Sequence, residues 1–171
     1  MNMILIGLKH CGKTTIGKRI SEKTNQLLID TDRLIEEHYS RSENTPLTVR
    51  EIYQSKGDQY FRNLEKYVII TLDNIDDSVI ATGGGTVLDN DNVSRLKKRG
   101  KLIYLYLSLD AWLVRLQSQT IPASTQAENS FDALYQQRET IYKQVADMKV
   151  SVENKSISDI AEEILMLIRR S

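Results

Sequence analysis

The segment MILIGLKHCGKTTIG, Met3 to Gly17, restricts the fold of this chain more than any other. Met3–Ile6 is a short apolar run that reads as a buried strand, and a helical pattern begins at Lys13. Between them Gly7, Gly12, Lys13 and Thr14 match the spacing G-x-x-x-x-G-K-[ST]. Two glycines let the backbone curl until several N–H groups point inward, and a helix starting at Lys13 adds the positive end of its dipole. Such a loop cradles phosphate oxygens. Lys13 supplies an ammonium for the outer phosphates, and the Thr14 hydroxyl suits Mg²⁺. A strand before and a helix after separate this P-loop pattern from an ordinary glycine-rich turn. It points to a nucleoside triphosphate with Mg²⁺ and leaves the acceptor open.

A strand that ends in such a loop belongs in a parallel sheet, and the rest of the chain has the alternation a parallel sheet needs. Apolar runs near Leu27–Asp30, Ser78–Thr82, Leu102–Leu107 and Met148–Val152 read as further strands separated by stretches of helical period. Ile157–Arg169 closes the chain as a helix, with Ile157, Ile160, Ala161, Ile164, Leu165 and Ile168 on one face. These runs predict an α/β fold with helices on both faces and ligand sites beyond the carboxyl ends of the strands. At 171 residues, 1–171 reads as one domain.

One section breaks the alternation. Residues 31–77 carry only helical signals: Thr48 and Glu51 at capping-box spacing, a stop at Gly57, and Asp58 as the expected N-cap of a helix with Phe61, Leu64, Val68 and Leu72 on its apolar line. This reads as a small helical subdomain over the sheet edge. The polar stretch QSQTIPASTQAENS, Gln117 to Ser130, reads as a mobile surface loop.

Charge narrows the partners. Lys plus Arg number 23 and Asp plus Glu number 23, which supports neither a basic nucleic-acid face nor a membrane-attracting patch. No apolar run approaches the roughly 20 residues that cross a bilayer, and the N-terminus lacks a secretory pattern. The single cysteine, Cys11, cannot form an intramolecular disulfide. The expectation is a cytoplasmic protein with no nucleic-acid or membrane partner.

Three further stretches carry chemistry. In LLIDTDRLIEE, Asp30 and Asp32 stand two apart at a strand end, where extended backbone would put both on one face. Buried like charges need a cation or donors, and Mg²⁺ with an alcohol would satisfy both; the competing reading is that Asp30 or Thr31 only caps the next helix. In VIATGGGTV, Gly83–Gly85 follow a strand, giving close backbone approach and free N–H groups, or merely a tight turn. Arg62 lies three residues before Glu65, and Arg138 shares a helical stripe with Leu134, Tyr135, Ile141, Tyr142 and Val145. An arginine on an apolar stripe is either snorkelling or meeting an anion, and two arginines suit a bidentate hold on a carboxylate.

Together, GLKHCGKTTIGKRIS, LIDTDRLIEE, VREIYQSKGDQYFRNLE, ATGGGTV and LYQQRETIYKQVAD resemble the shikimate kinase family in order and spacing over almost the whole chain. The resemblance implies a three-layer P-loop fold like that of nucleoside monophosphate kinases, with a five-stranded parallel sheet in the order 2-3-1-4-5. It implies a monomer that phosphorylates the 3-hydroxyl of shikimate with ATP, on the route to chorismate and the aromatic amino acids. Lys9, His10, Cys11, Gly12, Lys13, Thr14 and Thr15, with Arg115 near the adenine, would bind ATP. Thr14 and, through water, Asp30 would hold Mg²⁺. Lys13 and Asp32 would be catalytic, Asp32 as the base for the acceptor hydroxyl. Asp32, Arg62, Arg138 and the backbone of Gly83, Gly84 and Gly85 would hold shikimate, and Glu65 would orient Arg62. Residues 31–77 would form the substrate-binding region and residues 116–130 the lid loop.

One departure stands out. The family's lid usually carries an arginine just before a proline; here Ile121 precedes Pro122, and no Arg or Lys occurs from Leu116 to Gln137. Another cation such as Lys9 could substitute, Arg115 could lie too far away to do so, or the chain could be a slow enzyme or a non-catalytic binder of shikimate and nucleotide. A related small-molecule kinase such as a gluconate kinase is the other alternative.

Overall fold

In a computed structural model, described over residues 1–118 and 128–170, the first apolar run forms β1 (Asn2–Ile6), buried at every position. Burial on both faces is what a central parallel strand requires, and β1 occupies that place. It is followed by α1 (Lys13–Thr24), β2 (Leu27–Asp30), α2 (Thr31–Glu43), α3 (Val49–Lys56), α4 (Asp58–Thr71), β3 (Ser78–Ala81), α5 (Asn90–Arg99), β4 (Gly100–Tyr106), α6 (Leu109–Gln117), α7 (Glu128–Val145), β5 (Met148–Ser151) and α8 (Ile157–Arg170). The five strands are parallel in the order β2-β3-β1-β4-β5, as the resemblance implies, with helices on both sides.

The topology fixes where a ligand can sit. The chain leaves β1 toward β2 on one side of the sheet order and leaves β3 toward β4 in the opposite direction. Right-handed crossovers then send the two connections to opposite faces, so a crevice opens beyond the carboxyl ends of neighbouring β1 and β3. The P-loop follows β1 and the glycine triplet follows β3, so both sequence signals converge on that crevice.

The helical section builds its own small core. Ile35, Tyr39, Ile52, Phe61, Leu64 and Val68 pack together apart from the main core around the sheet. Thr48 and Glu51 form the expected capping box, with Glu51 Oε2 accepting from the Thr48 backbone N–H at 2.8 Å. Asp58 does not cap α4. Gly57, at φ 84°, serves as C-cap of α3 and N-cap of α4 at once, so no residue is left between the helices for a side-chain cap. Asp58 falls in the first turn instead, where its charge complements the helix dipole, and it accepts from Tyr53 Oη and Arg62 Nε, both at 3.2 Å.

Both ends of the polar stretch Gln117–Ser130 are helical. Helix α6 runs through Gln117 and α7 begins at Glu128; residues 119–127, with Ile121 and Pro122, lie outside the described residues. Among the described residues no helix is long and apolar enough to cross a membrane.

Candidate active site

The P-loop is wound as its glycines demand. Gly7 takes φ 145°, and a Cβ there would meet the Leu105 carbonyl oxygen at 2.8 Å; Gly12 takes φ 99°. Lys13 Nζ turns into the loop and donates to the carbonyl oxygens of Gly7 and Leu8 at 2.9 and 2.8 Å. Helix α6 braces the outside: Trp112 Nε1 donates to the Lys9 carbonyl at 2.9 Å, and Arg115 donates to the carbonyls of His10 and Cys11 at 3.3 and 3.1 Å. The Cys11 side chain is fully buried in the main core, and its Sγ accepts from Lys13 Nζ at 3.8 Å.

Asp30 and Asp32 are neighbours by a different geometry from the one their spacing suggests. The strand ends at Asp30 because its Oδ1 accepts from the backbone N–H groups of Asp32 and Arg33 at 3.0 and 3.4 Å, capping α2. Asp32 therefore lies in the first turn of a helix, not on the face of a strand. The capping reading and the functional one are compatible, since the other oxygen of Asp30 accepts from Thr14 Oγ1 at 2.6 Å. Burial, then the Asp30 charge, raises Asp32 to a pKa of about 6; Glu65 adds to the rise, while Lys13 and Lys9 oppose it.

The glycine triplet is where bulk would collide. A Cβ on Gly83 would lie 2.8 Å from Asp32 Oδ1, one on Gly84 would lie 3.3 Å from the Lys9 backbone nitrogen, and one on Gly85 would overlap the Arg62 guanidinium. The Gly84 carbonyl accepts from Arg138 at 3.1 Å and from Tyr142 Oη at 2.6 Å. Arg62 pairs with Glu65 across one turn of α4, as its spacing predicts, and Thr86 Oγ1 donates to the other Glu65 oxygen at 3.1 Å. Burial raises the Glu65 pKa even so, because that carboxylate is only 3% exposed.

Two cavities result. One of about 410 Å³ is lined by His10, Gly12, Lys13, Thr14, Thr15, Asp30 and Arg115, among others. The second, about 430 Å³, is lined by Arg62, Glu65, Gly83–Gly85 and Arg138. Lys9, Asp32 and Gly84 line both. The second cavity also takes in residues that local pattern did not single out as ligands: Arg50, Tyr53 and Gln54 of α3, Phe61, Trp112 and Tyr142. The α3 pattern identifies its buried side, Ile52, but carries no signal for what the opposite side faces. A larger cleft of about 510 Å³ between α4 and α5 lacks a phosphate-cradling loop, and two of its cations are already paired, Lys66 with Asp89 at 2.8 Å and Arg95 with Asp73 at 2.6 Å.

A phosphate-cradling loop at the switch point of a 2-3-1-4-5 sheet, beside a second pocket walled by arginines, defines a P-loop kinase of the small-molecule type. The model of the shikimate kinase family matches residues 9–169. A shikimate kinase of Sulfurihydrogenibium sp. (strain YO3AOP1) is 34% identical over 170 residues, covering 99% of this chain and 98% of that protein. The structure of shikimate kinase from Acinetobacter baumannii in complex with shikimate superposes with a TM-score of 0.84 at 28% identity, covering 99% of this chain and 93% of that one. The chain belongs to the shikimate kinase family. A gluconokinase from Sinorhizobium meliloti reaches a TM-score of 0.60 at 18% identity, a likeness of fold alone.

Proposed function

We propose that this protein transfers the γ-phosphoryl group of ATP to the 3-hydroxyl of shikimate, giving shikimate 3-phosphate and ADP. The observation that carries this reading is the meeting of the two cavities at Asp32. ATP occupies the P-loop side, with Lys13 and the loop N–H groups on its phosphates and Arg115 beside His10, Cys11 and the base. Shikimate occupies the arginine-lined side, which residues 31–77 supply in large part. Arg62, oriented by Glu65, and Arg138 hold its carboxylate and hydroxyls against the Gly83–Gly85 backbone. The bond from the γ-phosphorus to ADP breaks as the bond to the 3-oxygen forms, and Asp32 takes the hydroxyl proton.

Mg²⁺ fits the residues present. The Thr14 hydroxyl and Asp30 carboxylate are hard oxygen donors 2.6 Å apart at the mouth of the P-loop. Thr14 directly, and Asp30 through water, would hold the ion, which when bound offsets phosphate charge. Every group invoked comes from one chain, so the reading needs no second copy.

Asp32 can accept a proton only when ionised, and its pKa of about 6 places that requirement near neutrality. The pH profile of kcat/KM for shikimate is therefore expected to rise with pH through about 6 and then level off, with Asp32→Glu shifting the limb and Asp32→Asn abolishing it. A profile flat from pH 5 to 8 in the native protein would remove Asp32 from the base role. The reading as a whole is tested by coupled ADP release with shikimate, gluconate and nucleoside monophosphates as acceptors. Shikimate-dependent ADP is the expected result; turnover on another acceptor with none on shikimate overturns it.

A further inference from the structure

Phosphoryl transfer is catalysed mostly by positioning and by positive charge on the group in flight, so the placement of each cation is informative. Most cations of this site are already engaged. Lys13 Nζ donates to two P-loop carbonyls, Arg115 to two more, Arg138 to Gly84, and Arg62 pairs with Glu65 and Asp58. Arg50 lines the acceptor cavity only. The sequence between Leu116 and Gln137 offers no Lys or Arg at all.

Lys9 is different. Among the described residues it is the one cationic side chain that lines both cavities. Its side chain is exposed and, among the described residues, forms no ion pair, while its backbone carbonyl is held by Trp112 Nε1 at 2.9 Å and a Cβ on Gly84 would lie only 3.3 Å from its nitrogen. A fixed backbone with a free ammonium can present charge without a rearrangement of the loop. Both Asp32 and His10 feel that charge: it opposes the rise at Asp32 and adds to the fall at His10, where burial is the first cause.

We propose that Lys9 is a catalytic residue whose ammonium meets the phosphoryl group as it crosses from the donor to the acceptor cavity, offsetting the negative charge on its oxygens. This rests on the shikimate reading for the identity of the acceptor, but not for the location of the charge. The alternative role for an ammonium here, holding the substrate carboxylate, would act on shikimate affinity alone.

Two measurements on Lys9→Met and Lys9→Arg separate the cases, with thermal melting to verify that each variant is folded. In steady-state assays Lys9→Met is expected to lose about 10²- to 10³-fold in kcat, with KM for ATP and shikimate each changing less than about threefold, and Lys9→Arg to recover most of the loss. In binding assays with Mg²⁺, affinity for ADP plus aluminium fluoride, a mimic of the phosphoryl group in transfer, is expected to fall in Lys9→Met while affinity for ADP alone holds. Native kcat in Lys9→Met, a loss confined to the KM for shikimate, or unchanged aluminium fluoride affinity overturns the proposal. If the native protein turns over no shikimate, the acceptor reading fails, and the aluminium fluoride measurement still decides Lys9.

Discussion

Asp32→Asn is expected to lower kcat by about 10²- to 10⁴-fold, the range for loss of a positioned general base, and at the same time to stabilise the ligand-free protein at pH 7. The two effects share one cause. The folded protein holds the Asp32 proton up to a pKa of about 6, whereas an unperturbed aspartate carboxyl releases it near 3.8. Between those values the native state binds more protons than the unfolded chain, so Asp32 makes stability fall as pH rises through this window. Above it the penalty is complete, at most about 3 kcal/mol for a shift of this size. Asparagine keeps the shape and removes the charge. The melting temperature of Asp32→Asn, without nucleotide or Mg²⁺, should exceed the native value by several degrees at pH 7, and the gap should narrow toward pH 4. A residue kept at a cost to stability because catalysis requires its charge behaves this way. A variant less stable than the native protein at pH 7, or one with kcat within tenfold of it, would contradict the account of Asp32.

Arg138→Ala should raise the KM for shikimate about 10- to 150-fold, matching the roughly 1.5–3 kcal/mol of a hydrogen-bonded charge, while KM for ATP stays within threefold. This substitution separates binding from folding better than its counterpart at Arg62. Removing Arg138 leaves the Gly84 carbonyl still bonded to Tyr142 Oη at 2.6 Å, so the glycine loop keeps an anchor. Removing Arg62 strands Glu65, a carboxylate 3% exposed, and confounds lost affinity with the cost of an unpaired buried charge. Melting temperatures of Arg138→Ala and the native protein should therefore agree within a few degrees. Equal increases in both Michaelis constants would place Arg138 outside the shikimate pocket.

The features legible in the sequence were those whose physics is local. The P-loop depends on glycines within six residues of each other, the Thr48–Glu51 box on a spacing of three, and the Arg62–Glu65 pair on one helical turn. Strand positions followed from apolar runs to within two residues at each end; β4 starts at Gly100 because that residue pairs with Asn2, the first residue of β1, a contact no window around Gly100 contains. Asp30 and Asp32 were legible as a pair but not as a geometry, since a side chain that caps a helix ends the strand that carries it. Contacts far apart in the chain left no local trace. Trp112 braces the Lys9 carbonyl across 103 positions, and α3 brings Arg50, Tyr53 and Gln54 to the acceptor cavity through a fold whose strand order came from family resemblance. Cys11 sits inside a phosphate motif and yet faces the core, a distinction of side-chain direction that the motif does not encode.

The central claim is a phosphoryl transfer from ATP to one particular oxygen. Phosphorus NMR of a mixture of the protein, ATP, Mg²⁺ and shikimate tests it directly. One new phosphomonoester signal is expected, with phosphorus–proton coupling that places it on the 3-oxygen of shikimate, growing in step with ADP. ADP that accumulates with inorganic phosphate alone, or a phosphoester on a different oxygen, would contradict it.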